Sequence, residues 1–168
     1  MDAAYEAEIA AGRQLARDGD GEGSIAFFQA FVERHPDDPR AHYELACSFD
    51  RAGREEDAVA PYKTALELGL PEPHLQGLMV GLGSTLRNVG AYQESVEFLE
   101  DAVERYPDHA DLRIFLAFAR HSAGDHTGAL VEALDVLLAT PEVNLHGYDR
   151  AIKYYRDVLR DPDNPPEE

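Results

Sequence analysis

Residues 81–107 read GLGSTLRNVGAYQESVEFLEDAVERYP, which is two amphipathic segments separated by a glycine and closed by a proline. In the first segment, Leu82, Leu86 and Val89 fall at i, i+4 and i+7, so they share one face of a helix that ends at Gly90. The second segment keeps helical spacing up to Pro107, whose ring cannot continue a helix. Two helices joined by so short a connection must lie antiparallel and bury their apolar stripes against each other.

The same two-helix unit recurs along the chain. The central glycine returns at spacings of 34, 37 and 34 residues, as Gly19, Gly53, Gly90 and Gly124. The closing proline returns as Pro36, Pro71, Pro107 and Pro141. A period near 34 residues is typical of solenoids built from helical hairpins. The sequence therefore predicts four repeats, 5–38, 39–72, 76–109 and 110–143.

Small residues occupy equivalent places in all four copies. The first helices carry Gly12, Ala46, Gly83 and Ala117, and the second helices carry Ser24, Ala58, Ser95 and Ala129. Helices whose axes approach to about 8 to 10 Å need small side chains where their backbones come closest. We therefore expect all eight residues to be buried between helices.

The second copy, HYELACSFDRAGREEDAVAPYKTAL, shares with the third an order of leucine, small residue, glycine, alanine or serine, large apolar residue and small residue. With this pattern the chain resembles a tetratricopeptide repeat (TPR) protein over residues 5–143. The resemblance implies an all-α fold, a right-handed solenoid of four helical hairpins. Copies one and four depart from the pattern, as terminal repeats do. Copies three and four also resemble a subgroup of small bacterial TPR proteins, with a GSTLRN-type first helix in the third repeat.

The last part of the chain has a different pattern. Residues 145–160 repeat apolar side chains at helical spacing, at Leu145, Tyr148, Ile152, Tyr155 and Leu159. We predict a C-terminal capping helix that covers the end of copy four and turns its lysine and arginines to water. Residues 1–160 are thus expected to form a single TPR domain. Residues 161–168, DPDNPPEE, are predicted to be a disordered acidic tail, and residues 18–23, DGDGEG, a flexible turn.

Net charge restricts the class of partner. Fifteen basic against 33 acidic residues give a net charge of −18, which repels phosphate backbones and anionic lipid headgroups. We therefore expect no nucleic acid and no membrane partner. The chain begins without an apolar signal core, and no run approaches the roughly 18 apolar residues of a membrane span. The single Cys47 cannot form an internal disulfide, so we predict a cytoplasmic location.

The sequence shows no signature of an enzyme. Zinc-ligand spacing, a phosphate-binding glycine loop and a nucleophile motif are all absent. His121 and Asp125 are separated by the Gly124 turn, and we interpret them as solvated polar residues. Cys47 is interpreted as a packed or partly exposed free thiol. We predict a protein without catalytic activity, metal or cofactor.

The TPR resemblance implies that the first helix of each repeat lines an inner, concave wall. The resemblance assigns five positions of each first helix, 20 in all, to this wall. These 20 positions hold five arginines and three acidic residues, whereas the remainder of the chain holds 10 basic and 30 acidic residues. Because the arginine fork suits carboxylates, this wall resembles a receptor for an acidic or C-terminal segment. The candidate groove residues are Arg13, Arg17, Arg40, Tyr43, Arg51, Val80, Arg87, Asn88, Ile114, Phe118 and His121.

Two interpretations of the wall arginines stay open. They bind acidic groups of a partner, or they pair with nearby acids of their own chain such as Asp50 and Asp111. TPR proteins that clamp the terminal carboxylate of chaperones have lysine, asparagine and arginine at two fixed wall places, and here only Arg13 fits. The sequence therefore favours a mixed apolar and arginine groove over that clamp.

Three hypotheses of function follow. The first is a non-catalytic protein-protein interaction module that holds a peptide or helix of another protein. The second is a self-assembling homodimeric scaffold in which the groove is incidental. The third, the least favoured, is an enzyme with a site around Cys47 and His121.

Overall fold

A computed structural model describes residues 3–164 and 166, which contain nine α-helices and no strand. The helices are α1 (Ala3–Arg17), α2 (Gly21–Arg34), α3 (Pro39–Arg51), α4 (Glu55–Glu67), α5 (His74–Asn88), α6 (Tyr92–Arg105), α7 (Ala110–Ser122), α8 (His126–Ala139) and α9 (Asp149–Arg160). The first eight helices follow the predicted hairpins in order. The all-α repeat fold expected from the sequence is confirmed.

Left-handed glycines separate the helices of the hairpins. Gly19, Gly53, Gly90 and Gly124 have φ values of 87°, 70°, 85° and 93°. Residues with a side chain rarely adopt this backbone conformation, so glycine is favoured where the chain reverses after a helix. A further glycine, Gly69 with φ 78°, ends α4, and the Leu70 N–H donates to the Ala65 carbonyl at 3.0 Å. This helix therefore ends before the predicted breaker, Pro71.

Aspartates cap three of the helices. The Asp38 side chain accepts from the backbone N–H of Arg40 at 2.9 Å and so caps α3, whose first residue is Pro39. The Asp20 side chain likewise accepts from the N–H of Gly23 at 2.8 Å. The prediction of a flexible turn over residues 18–23 is therefore wrong for 21–23, because this cap starts α2 at Gly21.

The small residues lie where the repeat register requires them. All eight are buried, and Ala46, Ala58 and Ser95 have no exposed surface. At Gly12, a Cβ atom would lie 2.6 Å from the ring of Phe28, which is itself fully buried on α2. A larger side chain at such a place would push the two helices apart.

The chain divides into two compact units, Met1–Gly90 and Ala91–Glu168. In the first unit each helix from α1 to α5 packs on the next, and the first helices of the repeats are neighbours, α1 of α3 and α3 of α5. In the second unit α6, α7, α8 and α9 pack in sequence. The single domain expected over 1–160 stays a prediction.

Helix α9 departs from the capping helix predicted over 145–160. It begins at Asp149 and packs on α8, but Tyr148 and Tyr155 of the expected apolar stripe are 68% and 65% exposed. The expectation that its arginines face water is wrong for Arg156, whose side chain is 13% exposed and pairs with Asp135 of α8. The carboxylate supplies a partner for the guanidinium, so the arginine packs inward.

The predicted disordered tail lies partly outside the described residues, at positions 165, 167 and 168. Residues 161–164 are exposed, with a turn at 162–163. Disorder of the tail stays a prediction.

The repeat register can be tested at Ala58. Ala58→Leu forces a large side chain into a fully buried helix contact, and we expect the free energy of unfolding to fall by about 1 to 3 kcal/mol. Urea unfolding followed by circular dichroism measures the loss. Ala60→Leu, on the exposed side of the same helix, is the matched control. Equal stability of the two variants would contradict the register.

Candidate functional site

The neighbouring helices α1 and α3 bring three of the predicted groove arginines together. Arg13, Arg17 and Arg51, with Ala16, line a cavity of about 330 Å³ in the first unit. Arg17 and Arg51 stand 34 residues apart in sequence, one repeat period, at the last turns of α1 and α3. The periodic placement of arginine therefore produces a shared cationic cavity.

Two of the predicted arginines are engaged by an acid of their own unit. The Glu44 carboxylate is 1% exposed and accepts from Arg13 Nε at 2.7 Å, from Arg13 Nη2 at 2.6 Å and from Arg40 Nε at 2.6 Å. The hydrogen bond to Glu44 raises the pKa of Arg13. For Arg13 and Arg40, pairing within the chain is therefore the correct interpretation, with Glu44 in place of the suggested Asp50 or Asp111.

Arg17 and Arg51 differ from this pair. Both are exposed, and neither forms an ion pair with any residue in the part of the chain that the structure describes. The Arg17 guanidinium has only a long contact of 3.4 Å with the amide oxygen of Gln14. The cavity thus presents two guanidinium groups to solvent with no carboxylate of its own.

Below the wall, a carboxylate of α3 accepts hydrogen bonds from hydroxyl groups of α4 and α5. The Asp50 carboxylate accepts from the Tyr62 hydroxyl and from the Thr85 hydroxyl, both at 2.8 Å. Burial raises the pKa of Asp50, although the two hydrogen bonds act in the opposite direction. Cys47 Sγ lies 3.6 Å from the Tyr62 oxygen, and burial raises the pKa of the thiol. A protonated, packed thiol is a poor nucleophile, which argues against the enzyme hypothesis at Cys47.

Two glycines of α5 make room for tyrosine hydroxyl groups. A Cβ atom at Gly77 would lie 2.6 Å from the Tyr43 oxygen, and one at Gly81 would lie 2.6 Å from the Tyr62 oxygen. The Tyr43 ring is half-buried and lies 6.0 Å from the ring of His74, centroid to centroid. Tyr43 therefore contributes a ring edge to the wall, while its hydroxyl points against α5.

The remaining groove residues of the first unit lie on α5. Val80 and Arg87 are half-buried and Asn88 is exposed. Arg87 Nη2 donates to the Asn88 side-chain oxygen at 2.8 Å, so these two side chains orient each other.

The other three predicted groove residues lie on α7, in the second unit. Ile114 is half-buried, whereas Phe118 and His121 are exposed. The His121 ring lies 4.6 Å from the ring of His126. Asp125, which we considered together with His121 from the sequence, caps α8 by accepting a hydrogen bond from the Gly128 N–H at 2.8 Å. His121 and Asp125 thus show no arrangement of an acid and base pair.

A sequence profile of the Tetratrico peptide repeat family matches residues 39–159. The chain belongs to the TPR family. Protein FlbA of Caulobacter vibrioides is 30% identical over 121 residues, which cover 72% of this chain and 20% of FlbA. This TPR chain therefore spans about one fifth of the length of that relative.

Solved structures of TPR proteins share the fold. MamA from Desulfovibrio magneticus RS-1 superposes with a TM-score of 0.68 at 17% identity, over 95% of this chain and 85% of that one. YrrB, described as a TPR protein with an unusual peptide-binding site, gives a TM-score of 0.60 at 15% identity, over 94% and 86% of the two chains. The TPR family is a family of protein-protein interaction modules. The narrower GSTLRN subgroup, the absence of catalytic activity and the absence of a cofactor stay predictions.

Two further features concern the part of the chain that the structure describes. No helix there is both long and apolar enough to cross a membrane. No group of three or more histidine, cysteine, aspartate or glutamate side chains in that part of the chain is arranged to hold a metal ion. The cytoplasmic location stays a prediction.

Sequence reasoning missed the buried carboxylate of Glu44. One signal was present, because Arg40 and Glu44 stand at i, i+4 on a predicted helix, where opposite charges meet. The contribution of Arg13 had no such signal, since it comes from the preceding repeat, 31 residues away.

The buried ion pair makes a prediction for stability. Glu44→Gln keeps the shape of the side chain but leaves the buried Arg40 without its carboxylate. We expect the free energy of unfolding to fall by about 3 kcal/mol. This is the lower end of the range for buried ion pairs, because Arg13 is partly exposed. Urea unfolding measures the change. Glu56→Gln, on the exposed surface of α4, should be neutral, and equal stability of both variants would contradict the role of Glu44.

The buried tyrosines make a prediction for alkaline pH. Burial is the main cause that raises the pKa of Tyr43 and Tyr62, so the folded state favours their neutral form. The resulting stability is complete below the unfolded pKa of about 10 and is lost as pH rises above it. The free energy of unfolding should therefore fall above about pH 10, and Tyr62→Phe should flatten this slope. Tyr148→Phe, at an exposed site, should leave the slope unchanged.

Proposed function

We propose that this TPR protein binds a segment of another protein on the first-unit wall, the surface formed by the groove residues of α1, α3 and α5. In this proposal Arg17 and Arg51 bind a carboxylate of that segment. The observation that carries the proposal is the cavity of about 330 Å³, where both guanidinium groups are exposed and have no ion pair with the described residues. Two unpaired arginines in a chain with a net charge of −18 call for an explanation.

The third arginine of the cavity has a positioning role. Glu44 holds Arg13 through two hydrogen bonds of 2.6 and 2.7 Å, so its guanidinium is fixed at the rim. A fixed cation beside two exposed forks suits a planar carboxylate, which accepts hydrogen bonds on both oxygens. The ligand group is therefore an acidic side chain or a terminal carboxylate of the partner.

The wall also offers apolar contact. Tyr43 presents a half-buried ring and Val80 a half-buried side chain on the adjacent helix, while Asn88 adds an exposed amide. A segment bound along these helices would place apolar side chains on Tyr43 and Val80 and its acidic group at the cavity. Peptide recognition combines such anchors with a few directed polar contacts.

Net charge shapes how such a partner binds. At physiological salt the charges of the chain are screened beyond about 8 Å, so a carboxylate at the cavity interacts mainly with the nearby arginines. Extended polyanions experience far more of the acidic surface and are repelled. The proposal therefore concerns a short acidic segment rather than nucleic acid or a membrane. The peptide-binding site named for YrrB supports peptide binding as a use of this fold.

The proposal is tested by charge reversal at the cavity. Proteins captured from native lysate by the wild type, and released by salt, should be lost with the Arg17→Glu, Arg51→Glu double variant. Mass spectrometry identifies the proteins, and circular dichroism confirms that the variant is folded. Neither residue forms an ion pair with a described acid, but Arg51 acts to lower the pKa of Asp50, so the circular dichroism comparison also checks that reversal at Arg51 leaves the fold intact.

Arg34→Glu, Arg105→Glu is the matched control, because it makes the same change of net charge at exposed positions of α2 and α6, outside the first-unit wall and outside α9. Loss of the same proteins from both variants would indicate a general charge effect and contradict a site at the cavity. Identical captures by all three proteins would move the interaction away from the first-unit wall.

A further inference from the structure

Helix α9 has an exposed face on which no other helix of its unit packs in the described part of the chain. Tyr148, Arg150, Ala151, Lys153 and Tyr155 are all exposed, and we call them the α9 face. Two cavities, of about 600 and 730 Å³, open beside it. Arg150 and Lys153 line both cavities, so the two form one continuous surface within the second unit.

The larger cavity is strongly basic for so acidic a chain. Its charged lining residues are Arg113, Arg150, Lys153, Arg156 and Arg160 against Asp135 and Asp149. Five cations face two carboxylates there, whereas the whole chain has more than twice as many acidic as basic residues.

One of the two carboxylates is already shared among arginines. Asp135 pairs with Arg156, with Arg160 at 2.5 Å and with Arg113 at 3.4 Å. Arg150 and Lys153 form no ion pair with any described residue. Arg150 and Lys153 are therefore the two unpaired cations of this cavity. Its other three arginines already bind one carboxylate, that of Asp135.

The smaller cavity supplies an apolar surface next to these cations. Gly147, Ala151, Tyr154, Tyr155 and Pro166 line it together with Arg150, Lys153 and Asp157, and the Asp157 carboxylate pairs with Arg156. The Tyr154 and Tyr155 rings lie 5.6 Å apart in an edge-to-face arrangement. Tyrosine is enriched at protein interfaces because its rigid ring buries a large area and keeps a polar tip.

We propose that the α9 face is a second docking surface, which binds a short segment of a partner protein with an acidic residue beside an apolar one. The acidic residue binds Arg150 and Lys153, and the apolar residue packs on Tyr154 and Tyr155. The tyrosine half favours a peptide over a free phosphate, which would use the cations alone.

The experiment selects ligands without assuming a partner. A random peptide library displayed on phage is panned on three folded proteins: the wild type, the Arg150→Glu, Lys153→Glu variant and the Arg17→Glu, Arg51→Glu variant. The wild type and the Arg17 and Arg51 variant should enrich peptides that combine aspartate or glutamate with leucine or phenylalanine. The Arg150 and Lys153 variant should lose the peptides that these two proteins share, and any acidic peptides it still enriches should be those that bind the first-unit wall.

Affinities of a selected synthetic peptide separate the two halves of the surface. We expect binding at least about tenfold weaker to the Arg150→Glu, Lys153→Glu variant, and weaker binding to Tyr155→Ala at unchanged salt dependence. Tyr92→Ala, which removes an exposed ring of the same unit outside the α9 face, should bind as the wild type does.

Three outcomes would overturn the proposal. In the first, the Arg150 and Lys153 variant selects the same peptides as the Arg17 and Arg51 variant. In the second, inorganic phosphate alone binds as tightly as the peptide. In the third, sedimentation shows self-association that the Arg150 and Lys153 variant abolishes. The last outcome would make a second copy the occupant. Peptides that depend on Arg17 and Arg51 instead report on the first-unit wall, so the two proposals fail or hold separately.

Discussion

Close contact between helix backbones is the constraint on which the rest of this structure depends. Gly12, Ser24, Ala46 and Ala58 are buried because no larger side chain fits where their helices meet. At this contact the Ser24 hydroxyl of α2 donates to the Gly12 carbonyl of α1 and lies 3.0 Å from the Ser48 hydroxyl of α3, so the first two repeats are joined here. One consequence is chemical: residues one period apart, such as Arg17 and Arg51, are brought to the same cavity.

The basic residues of this acidic chain include some that pair with a carboxylate of their own unit and some that do not. A buried carboxylate such as Glu44 loses its hydration, and two guanidinium groups compensate for that loss. Asp135 has the same role in the second unit. Arginines used in this way stabilise the fold and are largely withdrawn from recognition. Arg17 and Arg51 in one unit and Arg150 and Lys153 in the other are exposed cations without such a partner among the described residues, and they are the ones that we propose bind another molecule.

The fold was predictable because its signals are local. Glycines with positive φ, closing prolines and small residues each act within one hairpin, and their period repeats visibly in the sequence. The candidate site was predictable only in part, since helical spacing shows which face a residue shares but not which side chain it meets. Arg13 meets Glu44 from another repeat, and the stripe of α9 is apolar whether or not a neighbour covers it.

The position of Glu44 also bears on how this chain could be taken apart. TPR arrays are commonly regarded as strings of exchangeable modules, each contributing its own stability and one interface. Here a carboxylate of the second repeat is neutralised partly by Arg13 of the first. Transplanting the second repeat alone into another array would leave that acid with Arg40 but without its two hydrogen bonds from Arg13. The exchangeable module in this part of the molecule is therefore a pair of repeats rather than a single one.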